Sequence, residues 1–122
     1  MEQERIHSYR DLIVWQKGMD LVTATFMLCE QFPKTELYGL TAQIKKSAIS
    51  IPSNIAEGRR RGTRADFKHF IQIAFGSGAE LETQFEIAKR LPFGQRCNFQ
   101  PSDVLLEEIM RMLNVMVRKL SI

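Results

Sequence analysis

From one end to the other, this chain spaces its apolar residues three and four positions apart, and no stretch alternates apolar with polar. Residues so spaced share one face of an α-helix, whereas a half-buried strand would need a period of two. Breakers are sparse, with 7 Gly and 4 Pro in 122 residues, so the helices should be long and the loops short. The expected fold class is therefore all-α. Four helical segments joined by short connections favour an antiparallel up-down-up-down four-helix bundle with left-handed packing. One domain, residues 1–122, accounts for the whole length.

The first helix is expected from Leu12 to Phe32, with Trp15, Met19, Val22, Phe26 and Cys29 as its buried seam. Ser8 or Asp11 is the expected cap, and Pro33 ends the helix. The second should run from Leu37 to Glu57 on Leu40, Ile44, Ala48, Ile51 and Ile55, with Gly58 just past its end. Pro52 interrupts it by deleting the bond to the Ala48 carbonyl, and Ser50, Ser53 and Asn54 stand ready around a kink. The third begins at a capping-box-like Thr63 and Asp66 and carries Phe67, Ile71, Ala74, Gly78, Leu81, Phe85 and Ala88 to about Leu91. Residues 92–101 read as a loop. The fourth, capped by Ser102, uses Leu105, Ile109, Met112, Met116 and Leu120.

Two helices carry more apolar surface than a lone bundle needs. Beside the seam of the fourth lies a second stripe, Leu106, Met110, Leu113 and Val117. The first helix repeats this with Val14, Gly18, Leu21 and Leu28. Contiguous second stripes make a patch rather than a scatter, and a patch that size is normally covered. Leu106, Met110, Leu113, Val117, Val14 and Leu21 are accordingly expected at the interface of a homo-oligomer with closed symmetry.

Chemistry is thin. The two histidines, His7 and His69, do not complete a metal set. Asp66-x-x-His69 occurs once, where a di-metal bundle needs such an element twice with two further inward carboxylates. Cys29 lies on a seam and reads as an inert thiol, while Cys97 sits beside Arg96, whose charge would lower its pKa. Gly76-Ser77-Gly78 falls inside a helix, where it serves close helix approach rather than phosphate binding. No phosphate-loop, dinucleotide or hydrolase motif is present, so no catalytic residue, cofactor or metal is expected, and the protein reads as a non-enzyme. Charges interrupt every apolar run short of membrane-spanning length, no apolar leader follows Met1, and two unspaced cysteines suit a reducing compartment. A cytoplasmic protein without membrane contact is expected.

Charge supplies the only functional pointer. The net charge is a mild +3. Residues 45–68, however, hold seven basic residues, Lys45, Lys46, Arg59, Arg60, Arg61, Arg64 and Lys68, against Glu57 and Asp66, a net +5. The remainder nets −2, from ten basic and twelve acidic residues. In an up-down-up-down bundle the turn between the second and third helices shares an end with both termini, so Arg5, Arg10, Arg118 and Lys119 would join the arginines. Such a surface attracts phosphate backbones without reading sequence. Those seven residues are the candidate RNA- or DNA-binding site, with Trp15 and Tyr38 as candidate aromatic partners. The alternative is a scaffold that docks a partner protein without nucleic acid.

Three segments, DLIVWQKGMDL (11–21), FPKTELYGLTAQIKKSAISIPSNIAEG (32–58) and DFKHFIQIAFGSGAELE (66–82), resemble the four-helix-bundle proteins encoded in intervening sequences of bacterial large-subunit ribosomal RNA genes. The run from Gln43 to Gly58 carries most of the specificity, and Ile109 to Leu120 matches more loosely. The resemblance implies a cytosolic homopentamer without known catalysis. It extends in fold to the accessory proteins of diversity-generating retroelements, basic pentamers that look like platforms for nucleic acid and a reverse transcriptase. By that analogy Arg61, which follows SNIAEG, would contact a phosphate, while Arg59 and Arg60 make this chain more basic there than the family pattern.

Overall fold

The computed structural model describes residues 8–122. Among them are four α-helices and no strand: α1 (Ile13–Cys29), α2 (Leu40–Arg61), α3 (Arg64–Arg90) and α4 (Gln100–Leu120). Each helix packs on the next in sequence, and α4 closes the set against α1. No helix among the described residues is long and apolar enough to cross a membrane.

One core runs through all four helices. α2 buries the stripe its sequence advertises, with Ile44, Ala48, Ile51 and Ile55 fully enclosed, and α3 contributes Ile71, Ala74, Leu81, Phe85 and Ala88. Thr63 caps α3 as expected, its Oγ1 accepting the Asp66 N–H at 3.1 Å. Gly78 admits Met110 of α4, whose sulfur lies where a Cβ would project, whereas Gly76 has nothing nearby.

α1 is rotated from its expected seam. Val14, Gly18, Leu21, Thr25 and Leu28 are buried, and so, from the expected seam, is Cys29. Trp15 and Val22 are half-buried against the core, and only Met19 (43% exposed) and Phe26 (36%) of that seam point outward. The reason is a contact between helices: Gly18 lets Pro52 of α2 come within 3.3 Å of the place its Cβ would occupy. Pro52 is buried in this contact, and α2 continues helically through it. Its place is against α1 of its own chain.

The same rotation corrects the expected interface. Val14, Leu21, Leu106 and Leu113 are all buried within their own chain, and Met110 and Val117 are half-buried against the same core. α4 centres its buried face on Leu106, Ile109 and Leu113, between the two stripes read from sequence.

Several ends also differ. Ser8 caps a short 3-10 turn, Tyr9–Asp11, by accepting the Arg10 N–H, and α1 itself starts at Ile13, with Leu12 in the cap position and no side-chain cap. α2 runs past Gly58 to Arg61, and Gly62, at φ +89°, is the left-handed residue that ends it. Gly58 is instead a contact point under α3. Within 92–101, Pro92–Arg96 forms a 3-10 turn and α4 starts at Gln100. Asn98 rather than Ser102 serves that start, accepting the Gln100 N–H at 3.2 Å, and Ser102 is buried in the first turn.

Candidate nucleic-acid interface

The last turn of α2 carries Arg59, Arg60 and Arg61 in succession, where cations favour the negative end of the helix dipole. Gly62 and Thr63 then reverse the chain into α3, which begins at Arg64. Arg64 Nη2 donates to the Lys119 carbonyl at 2.8 Å, bringing the last turn of α4, with Arg118 and Lys119, to the same place. The 3-10 turn before α1 arrives there too, because the Arg60 guanidinium lies 5.7 Å from the Tyr9 ring centroid. One end of the molecule thus collects Arg10, Arg59, Arg60, Arg61, Arg64, Arg118 and Lys119. Arg5 lies outside the described residues.

Three acidic side chains lie at this end: Asp11, beside Arg10 in the 3-10 turn, Glu57 and Asp66. Glu57 pairs with Arg61 at 2.9 Å, and both are about half exposed, so the pair adds little stability but holds the Arg61 side chain down. Asp66 sits in the first turn of α3, where its charge suits the helix dipole.

Aromatic rings lie among these cations. Arg10 stands 5.4 Å from the Tyr9 ring and 5.8 Å from Trp15, and Tyr9 meets Trp15 edge-on at 5.2 Å. Arg61 lies 5.0 Å from the Phe70 ring. A shallow pocket of about 360 Å³ opens here, lined by Tyr9, Ser53, Ala56, Glu57, Arg60 and Arg61. A second, of about 320 Å³, lies between Arg59, Gly62, Thr63, Arg64 and Leu120.

Of the seven basic residues read from the sequence, Arg59, Arg60, Arg61 and Arg64 are brought together, and Lys68 lies one turn into α3. Lys45 and Lys46 are not part of the group. They precede Arg59 by about four turns of α2, some 20 Å along the helix. Lys45 instead lies 4.6 Å from the Phe26 ring, over the outward face of α1. Trp15 belongs to the basic end, whereas Tyr38, 93% exposed, precedes α2 and lies at its far end. Tyr9 was missed by sequence reading. The only available signal was the adjacent Tyr9-Arg10 pair ahead of the first helix.

The remaining reactive groups are elsewhere. Burial pushes the Cys29 thiol up to about 11, with the charge of Lys45 opposing and the nearby Cys97 adding to it. Cys97 is also raised by burial, and Arg96 only partly opposes this, contrary to the lowered value its neighbour suggested. Its Sγ lies 3.3 Å from the Phe93 carbonyl. His69, near the start of α3, is separated from both thiols by most of that helix, about 40 Å long. No three His, Cys, Asp or Glu side chains gather at metal-binding separation among the described residues.

Fold and site together define a small all-α protein of four helices with one basic, aromatic-bearing end. A family model described as 23S rRNA-intervening sequence protein matches residues 10–115, which covers all of α1, α2 and α3 and most of α4. The chain belongs to that family. A search among curated proteins found no match.

Proposed function

We propose that this protein is a non-enzymatic, homo-oligomeric four-helix bundle that binds RNA or DNA through its basic end. The observation that carries this reading is the convergence of seven cationic side chains from four separate segments on one end, against three side-chain carboxylates, Asp11, Glu57 and Asp66. Binding by such a surface works through phosphate neutralisation and counterion release, so it is strong at low salt and indifferent to sequence. Arg60 and Arg64 are exposed and would contact phosphates directly, with Arg59, Arg61 and Lys68 beside them.

In this reading the helices run up-down-up-down. Two pairs support that course: Arg64 at the start of α3 with Lys119 at the end of α4, and Lys89 at the end of α3 with Asp103 at the start of α4, 2.8 Å apart. The subunits assemble through the outward apolar face of α1 and α2, where Met19, Phe26 and Ile49 are each more than a third exposed. A closed ring, a pentamer as the family resemblance implies, would repeat the basic end around one rim in the cytoplasm. The same apolar face supports a second reading, in which it docks a partner protein.

The test is a salt-dependent titration. Labelled RNA and DNA should bind at about 50 mM salt, with log K falling in log salt at a slope near −0.9 per neutralised phosphate on duplex and −0.7 on single strands. Replacing Arg59, Arg60 and Arg61 together by alanine should flatten that slope. No binding to either polymer by the parent chain removes the reading. A monomer mass by light scattering at micromolar concentration removes the assembly.

A further inference from the structure

We infer that the basic end is built to take single-stranded rather than duplex nucleic acid, with the Tyr9 ring as the platform on which a base stacks. This rests on the reading of that end as a nucleic-acid surface and specifies which form it takes.

Phosphate neutralisation needs cations alone, and a duplex keeps its base faces stacked away from the protein. Aromatic rings set among cations are the equipment of single-strand binding, where splayed bases stack on rings and on guanidinium planes. This end has that composition. Tyr9 has guanidinium groups at 5.4 Å (Arg10) and 5.7 Å (Arg60), and the ring is only half-buried. It forms one side of the 360 Å³ pocket, with Arg60 and Arg61 on others. A base entering the pocket would displace one mobile guanidinium from the ring and leave that cation beside its own phosphate. Cation–π contact is then exchanged for base stacking, and the arginine gains a phosphate partner.

Tyr9 is also positioned rigidly enough to serve. Ser8 caps its turn, the Leu12 N–H donates to the Tyr9 carbonyl at 3.0 Å, and Trp15 braces the ring edge-on. Trp15 is the single tryptophan of the chain. Trp15 does not line the pocket but touches the Tyr9 ring, so its fluorescence reports on the surroundings of that ring without any substitution.

The experiment compares a labelled single-stranded DNA of about 15 nucleotides with the duplex of the same sequence, by anisotropy at one low salt concentration. The parent chain should bind the single strand tighter, and only the single strand should quench Trp15, with the same midpoint as the anisotropy. Tyr9→Ala should weaken single-strand binding about tenfold, within the range for one lost base–aromatic stack, and leave duplex binding within about twofold. Tyr9→Phe should retain single-strand binding, and Tyr38→Ala, at the far end, should change neither. Thermal unfolding followed by circular dichroism checks that Tyr9→Ala remains folded. Should that variant unfold, the Trp15 quench in the parent chain decides alone. Duplex binding as tight as single-strand binding, an equal loss on both forms in Tyr9→Ala, or no Trp15 response overturns the stacking role while leaving the basic end as a phosphate surface. Absence of binding to both forms sinks the underlying reading instead.

Discussion

Adding one methyl group at Gly58 tests how α2 and α3 are held together. A Cβ there would lie 2.7 Å from the Cβ of Phe70 and 3.4 Å from both the ring and the carbonyl oxygen of Phe67. The first contact decides the sign. A Cβ is tied to its backbone, so Phe70 cannot swing away by changing rotamer, and α3 itself must move. Overpacking of this kind costs about 1–3 kcal/mol. Against it stands the gain from replacing a helical glycine by alanine, about 1 kcal/mol. The net expectation for Gly58→Ala is a loss of about 1 kcal/mol, or about 4 °C in Tm for a chain of this length. Gly76→Ala is the matched control, because it lies in α3 with nothing within 4 Å of its would-be Cβ. There only the propensity gain operates, so stability should rise by about 0.5–1 kcal/mol. The two variants should differ by about 2 kcal/mol, a separation of about 1 M in urea midpoint. Far-ultraviolet circular dichroism during urea unfolding measures this, at one fixed protein concentration because association shifts apparent stability. If Gly58→Ala unfolds at or above the parent midpoint while Gly76→Ala behaves as stated, the close α2–α3 approach is refuted.

Further predictions concern a cap and the two thiols. Thr63→Ala removes the acceptor for the Asp66 N–H and should cost about 1 kcal/mol in urea unfolding, whereas Thr63→Ser should retain most of it. Cys29 is raised to about 11 from 9.0, so the folded state holds its proton more tightly than the unfolded chain. Its contribution is fully present below about pH 9 and is lost as pH rises toward 11. Melting temperatures across that window should fall more steeply for the parent than for Cys29→Ala; parallel curves would contradict the burial of the thiol. In alkylation at pH 8, Cys97 should react before Cys29, since only Cys97 is partly exposed.

Much of the fold is legible before any coordinate is consulted, and the places where it is not share a cause. The α2 stripe could be read because its opposite face is polar, leaving one way to bury it. α1 is apolar over two adjacent stripes, and periodicity cannot choose between them. Met19 and Phe26 have the same claim on the core as Leu21 and Leu28 until Pro52 is seen resting on Gly18. The expected interface fails for the same kind of reason on two helices. Val14 and Leu21 are left over only if the neighbouring stripe of α1 is taken as its seam, and Leu106 and Leu113 only if the neighbouring stripe of α4 is. Glycines behave alike. Gly58 and Gly62 flank the same arginine run, and only the approach of Phe70 to one and the positive φ of the other separate their tasks.

The candidate site divides on the same line. Four arginines within six residues are close in space whatever the fold, so Arg59, Arg60, Arg61 and Arg64 were visible as a group. Lys45 and Lys46 are near the arginines only in sequence, because a helix carries residues fourteen apart about 20 Å away from each other. Tyr9, 51 residues from Arg60, becomes a neighbour only through packing.

What the chain determines by itself is therefore local: helix content, the Thr63 cap, the single-stripe face of α2 and the density of positive charge at residues 59–64. These depend on residues within a turn or two of one another, whose geometry the backbone dictates. Tertiary structure alone decided which of two apolar stripes is inside, which glycine ends α2 and which aromatic ring lies beneath the arginines. Those outcomes are settled by contact between segments distant in sequence, where the shape of one side chain selects the place of another.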